Sequence, residues 1–384
     1  MKDKKLEMNN KDKKVLVKVY AKKNVGDDLF LHILFSTYPR IQFGLMASES
    51  YREFIANYEN VTLVPLPERC LVERIICKLE NIVRVSLFSP QIVLRHREKY
   101  FQERVDEGYN GYIYVGGSIF IQHSPGIKNN DYINSVIPQY IPNAFIVGCN
   151  WGPCVNNVYM DFYESKVFPY YKGICFRDTA SYNLFKHLDN VRYAPDIVFQ
   201  YIPGTACIKA KHVGISVIDL SKRKNLHNKL SCYISKMSDT ITKLHEDGYK
   251  ITLFSFCKFE GDEDAIKSIK KKLPQGVNVD CVYYNGDLKG FLQRYGEMET
   301  MVTLRFHSLV LSLIYGHKIC PIIYSNKVSS LLSDIHYKGF STSLSEIEND
   351  DLVKEIKVSK KVNIALEEYA LRASKQFADF EKSF

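Results

Sequence analysis

Short apolar runs rich in β-branched residues alternate along the chain with segments of helical periodicity, and this alternation limits the fold more than any other feature. The strand runs in the first half are Val15–Tyr20, Val61–Val64, Tyr112–Val115, Ala144–Gly148 and Gly173–Phe176. After residue 200 come Val213–Val217, Lys250–Ser255, Val277–Val282, Thr300–Leu304 and Lys318–Ile323. Helical segments lie between them. In Glu68–Val83 the apolar residues Leu71, Val72, Ile75, Ile76, Leu79, Ile82 and Val83 keep the i, i+3, i+4 rhythm. Leu226–Asp247, Asp262–Leu273, Ser308–Tyr315 and Lys361–Lys382 are further helices. Such alternation predicts crossover units and parallel sheets with helices on both faces.

The length of 384 residues exceeds one ordinary domain. The series breaks near Gln200–Lys211, so two domains are expected, 1–203 and 204–384. They are read as Rossmann-like α/β domains facing a cleft, with the last helix packing back on the first. Hydrophobic content of 46% excludes a disordered chain. The uncharged stretches Asn110–Ile127 and Tyr132–Met160 carry Gly, Pro, Asn and Gln, so neither reads as a membrane span. The polar, lysine-rich start does not read as a signal peptide, and the cysteines sit singly without CxxC. A soluble cytoplasmic protein with buried thiols is expected. The net charge of +9 draws on six Lys against three acids in the first fourteen residues. No nucleic-acid-binding motif accompanies it, so no nucleic acid partner is expected. A basic surface also suits an anionic small molecule or peripheral contact with an anionic membrane face.

In open parallel sheets, ligands lie at the carboxyl ends of strands, so the loops there are the candidate sites. The first such loop holds Asn24, Gly26, Asp27 and Asp28. It reads as a capped helix start, and also as a substrate loop whose Asn24 or aspartates hold sugar hydroxyls or supply a base. Gly116, Gly117 and Ser118 follow the third strand, where paired glycines allow backbone to approach a ligand. Trp151, the single tryptophan, is a packing anchor or a sugar-stacking face. Arg177 and Asp178 read as a structural pair. The basic-aromatic run Arg95, His96, Arg97, Lys99, Tyr100, Phe101 and Arg104 reads as a solvated helix face.

Thr303-Leu-Arg305-Phe306-His307-Ser308 is the sharpest element of the second half. A strand ends there, and i, i+2 spacing directs Arg305 and His307 to one side. A helix opening at Ser308 adds its amides. Arginine offers a fork for carboxylate or phosphate, and histidine exchanges protons near neutrality. Glu260-Gly-Asp-Glu263 reads as an acidic helix start. Lys222 and Arg223 can add positive charge to the same mouth.

The ordered series Asn24-Val-Gly-Asp, Gly116-Gly117, Gly148 with Trp151-Gly-Pro, Arg177-Asp178 with Ser181, Ala194-Pro-Asp196, Gly261-Asp-Glu263 and Arg305-Phe-His307 resembles the polysaccharide pyruvyl transferase family. The resemblance spans roughly residues 15–335. It implies a glycosyltransferase-B-like (GT-B) pair of Rossmann-like domains in which phosphoenolpyruvate is the donor. A hexose of a bacterial exopolysaccharide or capsule, or its lipid-linked precursor, is the implied acceptor, and a pyruvate ketal the product. No metal or further cofactor is implied. Arg305, Phe306, His307 and Ser308 then fall in the donor site, with Phe306 contacting the donor through its backbone and Arg305 and His307 as the catalytic pair. Asn24, Gly26, Asp27, Asp28, Gly116, Gly117, Ser118 and Trp151 fall on the acceptor side. The family often carries an arginine on the first strand of the second half, where Gly214–Asp219 has none; Arg223 or Lys222 would replace it. Two other readings remain at this point: a nucleotide-sugar glycosyltransferase of the same architecture, and a non-catalytic glycan- or nucleic-acid-binding protein.

Overall fold

The computed structural model describes residues 13–68, 74–75, 91–122, 125–205, 207–221, 223 and 226–384. The chain forms two compact units. One comprises residues up to Ala21, Phe30–Asp196 and Ser374–Phe384; the other comprises Lys22–Leu29 and Ile197–Ala373. The helix expected over Glu68–Val83 lies almost wholly outside the described residues.

The first unit is built on a seven-stranded parallel sheet of order β3-β2-β1-β4-β5-β6-β7. Its strands are β1 (Lys14–Lys18), β2 (Gln42–Met46), β3 (Val61–Val64), β4 (Gly111–Val115), β5 (Ala144–Cys149), β6 (Gly173–Phe176) and β7 (Val191–Tyr193). Val15, Leu16 and Val17 of β1 are fully buried, as are Tyr112, Ile113 and Val115 of β4. Burial on both faces is why these strands read as continuous apolar runs. Strand β2 escaped the sequence reading. Its central Gly44 is required because the Tyr109 ring occupies the space a side chain would fill.

Helices α1 (Val25–Thr37), α2 (Gln91–Asp106), α3 (Asn129–Tyr140) and α4 (Thr179–Phe185) connect these strands. The first turn of α1 counts with the second unit. The face of α2 expected to be solvated is partly packed. Arg97 is buried and donates to the Pro67 carbonyl at 2.8 Å, and Phe101 is buried too. The C-terminal segment is stitched to its sheet by Gln376. This buried amide accepts from Gly148 N at 2.9 Å and donates to the carbonyls of Ala194 and Pro195 at 2.7 and 3.1 Å.

The second unit holds a six-stranded parallel sheet of order β10-β9-β8-β11-β12-β13. Its strands are β8 (His212–Ser216), β9 (Lys250–Ser255), β10 (Asp280–Tyr283), β11 (Thr300–Thr303), β12 (Lys318–Ile323) and β13 (Thr342–Ser343). Its helices include α5 (Leu230–Glu246), α6 (Asp262–Lys272), α7 (Leu288–Gly296), α8 (Phe306–Tyr315) and α9 (Asn326–Asp334). The expected terminal helix Lys361–Lys382 is instead two helices, Leu366–Ser374 and Ala378–Ser383. Among the described residues no helix is long and apolar enough to cross a membrane.

A titratable group lies inside the second core. His317 is 1% exposed and its ring lies 5.5 Å from those of Tyr295 and Tyr315. Burial, as the main cause, pushes the imidazole down to about 4. A histidine held neutral in the fold supports stability fully above its unfolded value of about 6.5. That support is lost as pH falls through about 4, because only the unfolded chain takes up the proton in this window. The contribution is on the order of 3 kcal/mol. His317→Phe is therefore expected to flatten the acid side of the stability–pH curve between these values, as read by thermal melts. Equal acid sensitivity in variant and wild type would contradict this.

Candidate active site

The corner between β11 and α8 is fixed through its backbone. The fully buried Ser216, at the end of β8, accepts with its hydroxyl from Leu304 N at 2.9 Å and Arg305 N at 3.2 Å. Arg305 is the extended N-cap residue of α8, and the helix opens at Phe306 rather than Ser308. His307 therefore stands on the first helical turn, and the strand alternation expected to align it with Arg305 does not operate. The two side chains take different partners.

The buried Arg305 guanidinium donates through Nη1 to Glu260 and through Nη2 to Asp262. Both carboxylates come from the segment after β9, expected chiefly to start a helix and less to enter a cleft. Gly261 between them has a left-handed φ of 92°, and a Cβ there would strike the Asp219 carboxylate. Both requirements exclude a side chain. Asp262 is fully buried and also accepts from Phe256 N at 2.9 Å and Cys257 N at 3.0 Å. Burial raises its carboxyl above the ordinary value, while Arg305 and the backbone amides oppose that rise. At Glu260 burial also pushes upward, but Arg305, Lys327 and Arg223 prevail and hold the carboxyl down at about 2.

His307 packs directly on Gly26, and a Cβ at residue 26 would overlap its imidazole. Gly26 lies at the start of α1, where Asn24 accepts from its backbone N–H at 3.0 Å. The Asn24 amide donates in turn to Glu260 at 3.1 Å, and Val25 N donates to the Phe256 carbonyl at 3.2 Å. Asp28 is fully buried and accepts from the Tyr284 hydroxyl at 2.6 Å; Asp27 is 8% exposed. Asn24, Gly26, Asp27 and Asp28, expected on the acceptor side, thus belong to the same unit as Arg305 and His307.

Arg223 joins this cluster. Its guanidinium lies 3.2 Å from Glu260 and 5.1 Å from the ring centroid of Tyr324. Lys327, in the first turn of α9, has its ammonium 5.6 Å from the same centroid. Lys222 lies outside the described residues. Tyr324 and Lys327 follow β12 as Arg305 follows β11, so strand-end position was the signal that could have found them.

Gly116, Gly117, Ser118 and Trp151 belong to the first unit. Gly117 leaves room for the guanidinium of Arg177, which donates to Asp196 at 3.0 Å and Asn150 at 2.7 Å. Ser118 donates to Asn150 at 3.3 Å. The expected Arg177–Asp178 pair does not form. Asp178 instead caps α4 through Ser181 N at 2.8 Å. Trp151 sits among the rings of Phe120, Tyr159, Tyr163, Phe168 and Phe185, with centroids 4.8–6.0 Å away.

A family model for polysaccharide pyruvyl transferase matches residues 24–326. No curated protein matches the sequence. Similar solved structures include UDP-GlcNAc 2-epimerase from Methanocaldococcus jannaschii, at 9% identity and TM-score 0.57, covering 92% of this chain and 94% of that one. S. aureus MnaA with UDP has 7% identity and TM-score 0.56, covering 97% and 95%. Anabaena HepE with UDP and glucose has 9% identity and TM-score 0.56, covering 97% and 100%. At these identities the likeness shows the fold alone, that of GT-B-type enzymes.

The contact between Gly26 and His307 gives a direct test. Gly26→Ala is expected to expel the imidazole from its seat at a cost of about 1–3 kcal/mol, the usual range for overpacking. The displacement is read as a changed His307 ring resonance and a lowered melting temperature. An unchanged resonance would show that the ring does not rest there.

Proposed function

This chain belongs to the polysaccharide pyruvyl transferase family, and we propose that it moves pyruvate from phosphoenolpyruvate onto a hexose of a bacterial surface polysaccharide or its lipid-linked precursor. The product is a pyruvate ketal, and phosphate is released. The observation that carries this reading is the corner at Arg305 and His307. A proton-exchanging imidazole and an arginine fork leave one strand–helix junction, with Arg223 and Lys327 drawn to the same carboxylate.

The chemistry needs such a set. The CH2 carbon of the donor must gain a proton, leaving an oxocarbenium-like carbon beside it. Two acceptor hydroxyls add to that second carbon, and phosphate departs. Each hydroxyl gives up one proton. One of these balances the new methyl C–H bond and the other leaves on phosphate. Cations stabilise the departing charge, and His307, two residues from Arg305, is the general acid of this reading. Arg305 is held by Glu260 and Asp262, so in this reading it anchors the corner and offers its remaining face to the donor carboxylate or phosphate. One aspartate of the α1 turn, Asp27 rather than the fully buried Asp28, orients or deprotonates an acceptor hydroxyl. An enzyme acting on a lipid-linked precursor would work in the cytoplasm, peripherally at the inner membrane face.

Incubation with phosphoenolpyruvate and a panel of free and lipid-linked galactosides, read by mass for pyruvate addition, tests the reaction. Calorimetry with phosphoenolpyruvate and with nucleotide sugars tests the donor; selective binding of a nucleotide sugar would favour a glycosyltransferase instead. His307→Ala is expected to lower turnover by about 100-fold or more with the fold intact, in the range of a lost general acid. Arg305→Lys keeps a charge but cannot bridge two carboxylates, and an approximately tenfold or greater loss is expected. Near-normal turnover in either variant would remove that residue from the mechanism.

A further inference from the structure

Tyr324 follows β12 with its ring beside the Arg305–Glu260 cluster, where the proposed transfer assigns it no part. Cations reach it from separate elements. Arg223 comes from the loop after β8 and stands 5.1 Å from the ring centroid. Lys327 comes from α9, at 5.6 Å. Arg305 comes from the β11–α8 corner and acts on the phenol electrostatically. Glu260, from the loop after β9, pairs with Arg223 and Arg305; Asp262 pairs with Arg305. The residue as a whole is half-buried.

Resting on the pyruvyl transfer proposed above, we propose that Tyr324 is a catalytic acid of this site, giving its hydroxyl proton to the CH2 carbon of the enolpyruvyl donor. The phenol O–H bond breaks and its electron pair stays on the phenolate oxygen, facing Arg223, Arg305 and Lys327. The π electrons of the donor form the new C–H bond, which leaves the neighbouring carbon electron-deficient for attack. One acceptor hydroxyl proton later returns to the phenolate. The other leaves with phosphate, the delivery that falls to His307.

The surroundings set this phenol apart from its neighbours in the same unit. Burial raises it, yet Lys327, Arg223 and Arg305 more than reverse that, and it titrates below its ordinary value. Tyr233, Tyr295, Tyr315 and Tyr337 of the same unit instead move upward, mainly through burial. A phenol beside cations is a stronger acid, and the charge that favours its anion is the charge that favours proton donation.

Tyr324→Phe keeps the ring under Arg223 and Lys327 and removes only the acid. The full-length protein is compared with this variant in two measurements. In a pH titration followed by phenolate absorbance, wild type is expected to show a tyrosine ionising ahead of the others, absent from the variant. In pyruvyl transfer, the variant is expected to lose about 100-fold or more in kcat, the scale of a general acid. Its phosphoenolpyruvate Kd by calorimetry should stay within about threefold, and its alkaline limb of kcat against pH should move. An early-ionising phenol that persists in the variant, or kcat near wild type, overturns the proposal while leaving pyruvyl transfer intact. Wild type that binds no phosphoenolpyruvate and transfers no pyruvate overturns the underlying reading, and this proposal with it.

Discussion

Arg305 is a charge taken almost wholly out of water, 6% exposed, and the second unit is organised around closing that charge. A guanidinium in such a place costs several kcal/mol unless its donors are met by carboxylates with good geometry. Glu260 and Asp262 meet two of them. Asp262 is in turn held by the amides of Phe256 and Cys257, so the loop after β9 cannot drift without exposing a buried anion. Glu260 extends the same logic outward. One of its oxygens takes Arg305 and Arg223, and the other takes Asn24. Three loops and the first turn of α1 are thereby tied to one carboxylate. The His307 imidazole, seated on Gly26, inherits its position from that tie.

The sequence pattern reveals the sheets because their strands are buried on both faces. Gly173–Phe176, Lys250–Ser255 and Lys318–Ile323 stand where the apolar runs place them. Gln42–Met46 does not announce itself. Its glycine answers to Tyr109, more than sixty residues away, and no local pattern encodes such a demand. The site divides in the same way. Arg305 and His307 draw attention because charge at the end of an apolar strand is locally conspicuous. That Arg305 is gripped by Glu260 and Asp262 is a fact of tertiary packing, since acids at a helix start satisfy local rules without it. Trp151 shows the reverse ambiguity: one residue type serves a sugar face or an aromatic core, and five surrounding rings are invisible to spacing.

The cluster is balanced in charge as well as closed in geometry. Arg223, Arg305 and Lys327 stand against Glu260, Asp262 and the nearby Asp219. Such a set does not attract anions by excess charge, so an incoming phosphate or carboxylate competes with carboxylates already in place. Tyr324 senses that competition, because the cations that hold its proton affinity down are those an anionic ligand would engage. An anion drawn to them would weaken their field at the phenol, and its proton affinity would move back toward the ordinary value. One local field thus links whatever anion binds at this strand end to the acidity of Tyr324.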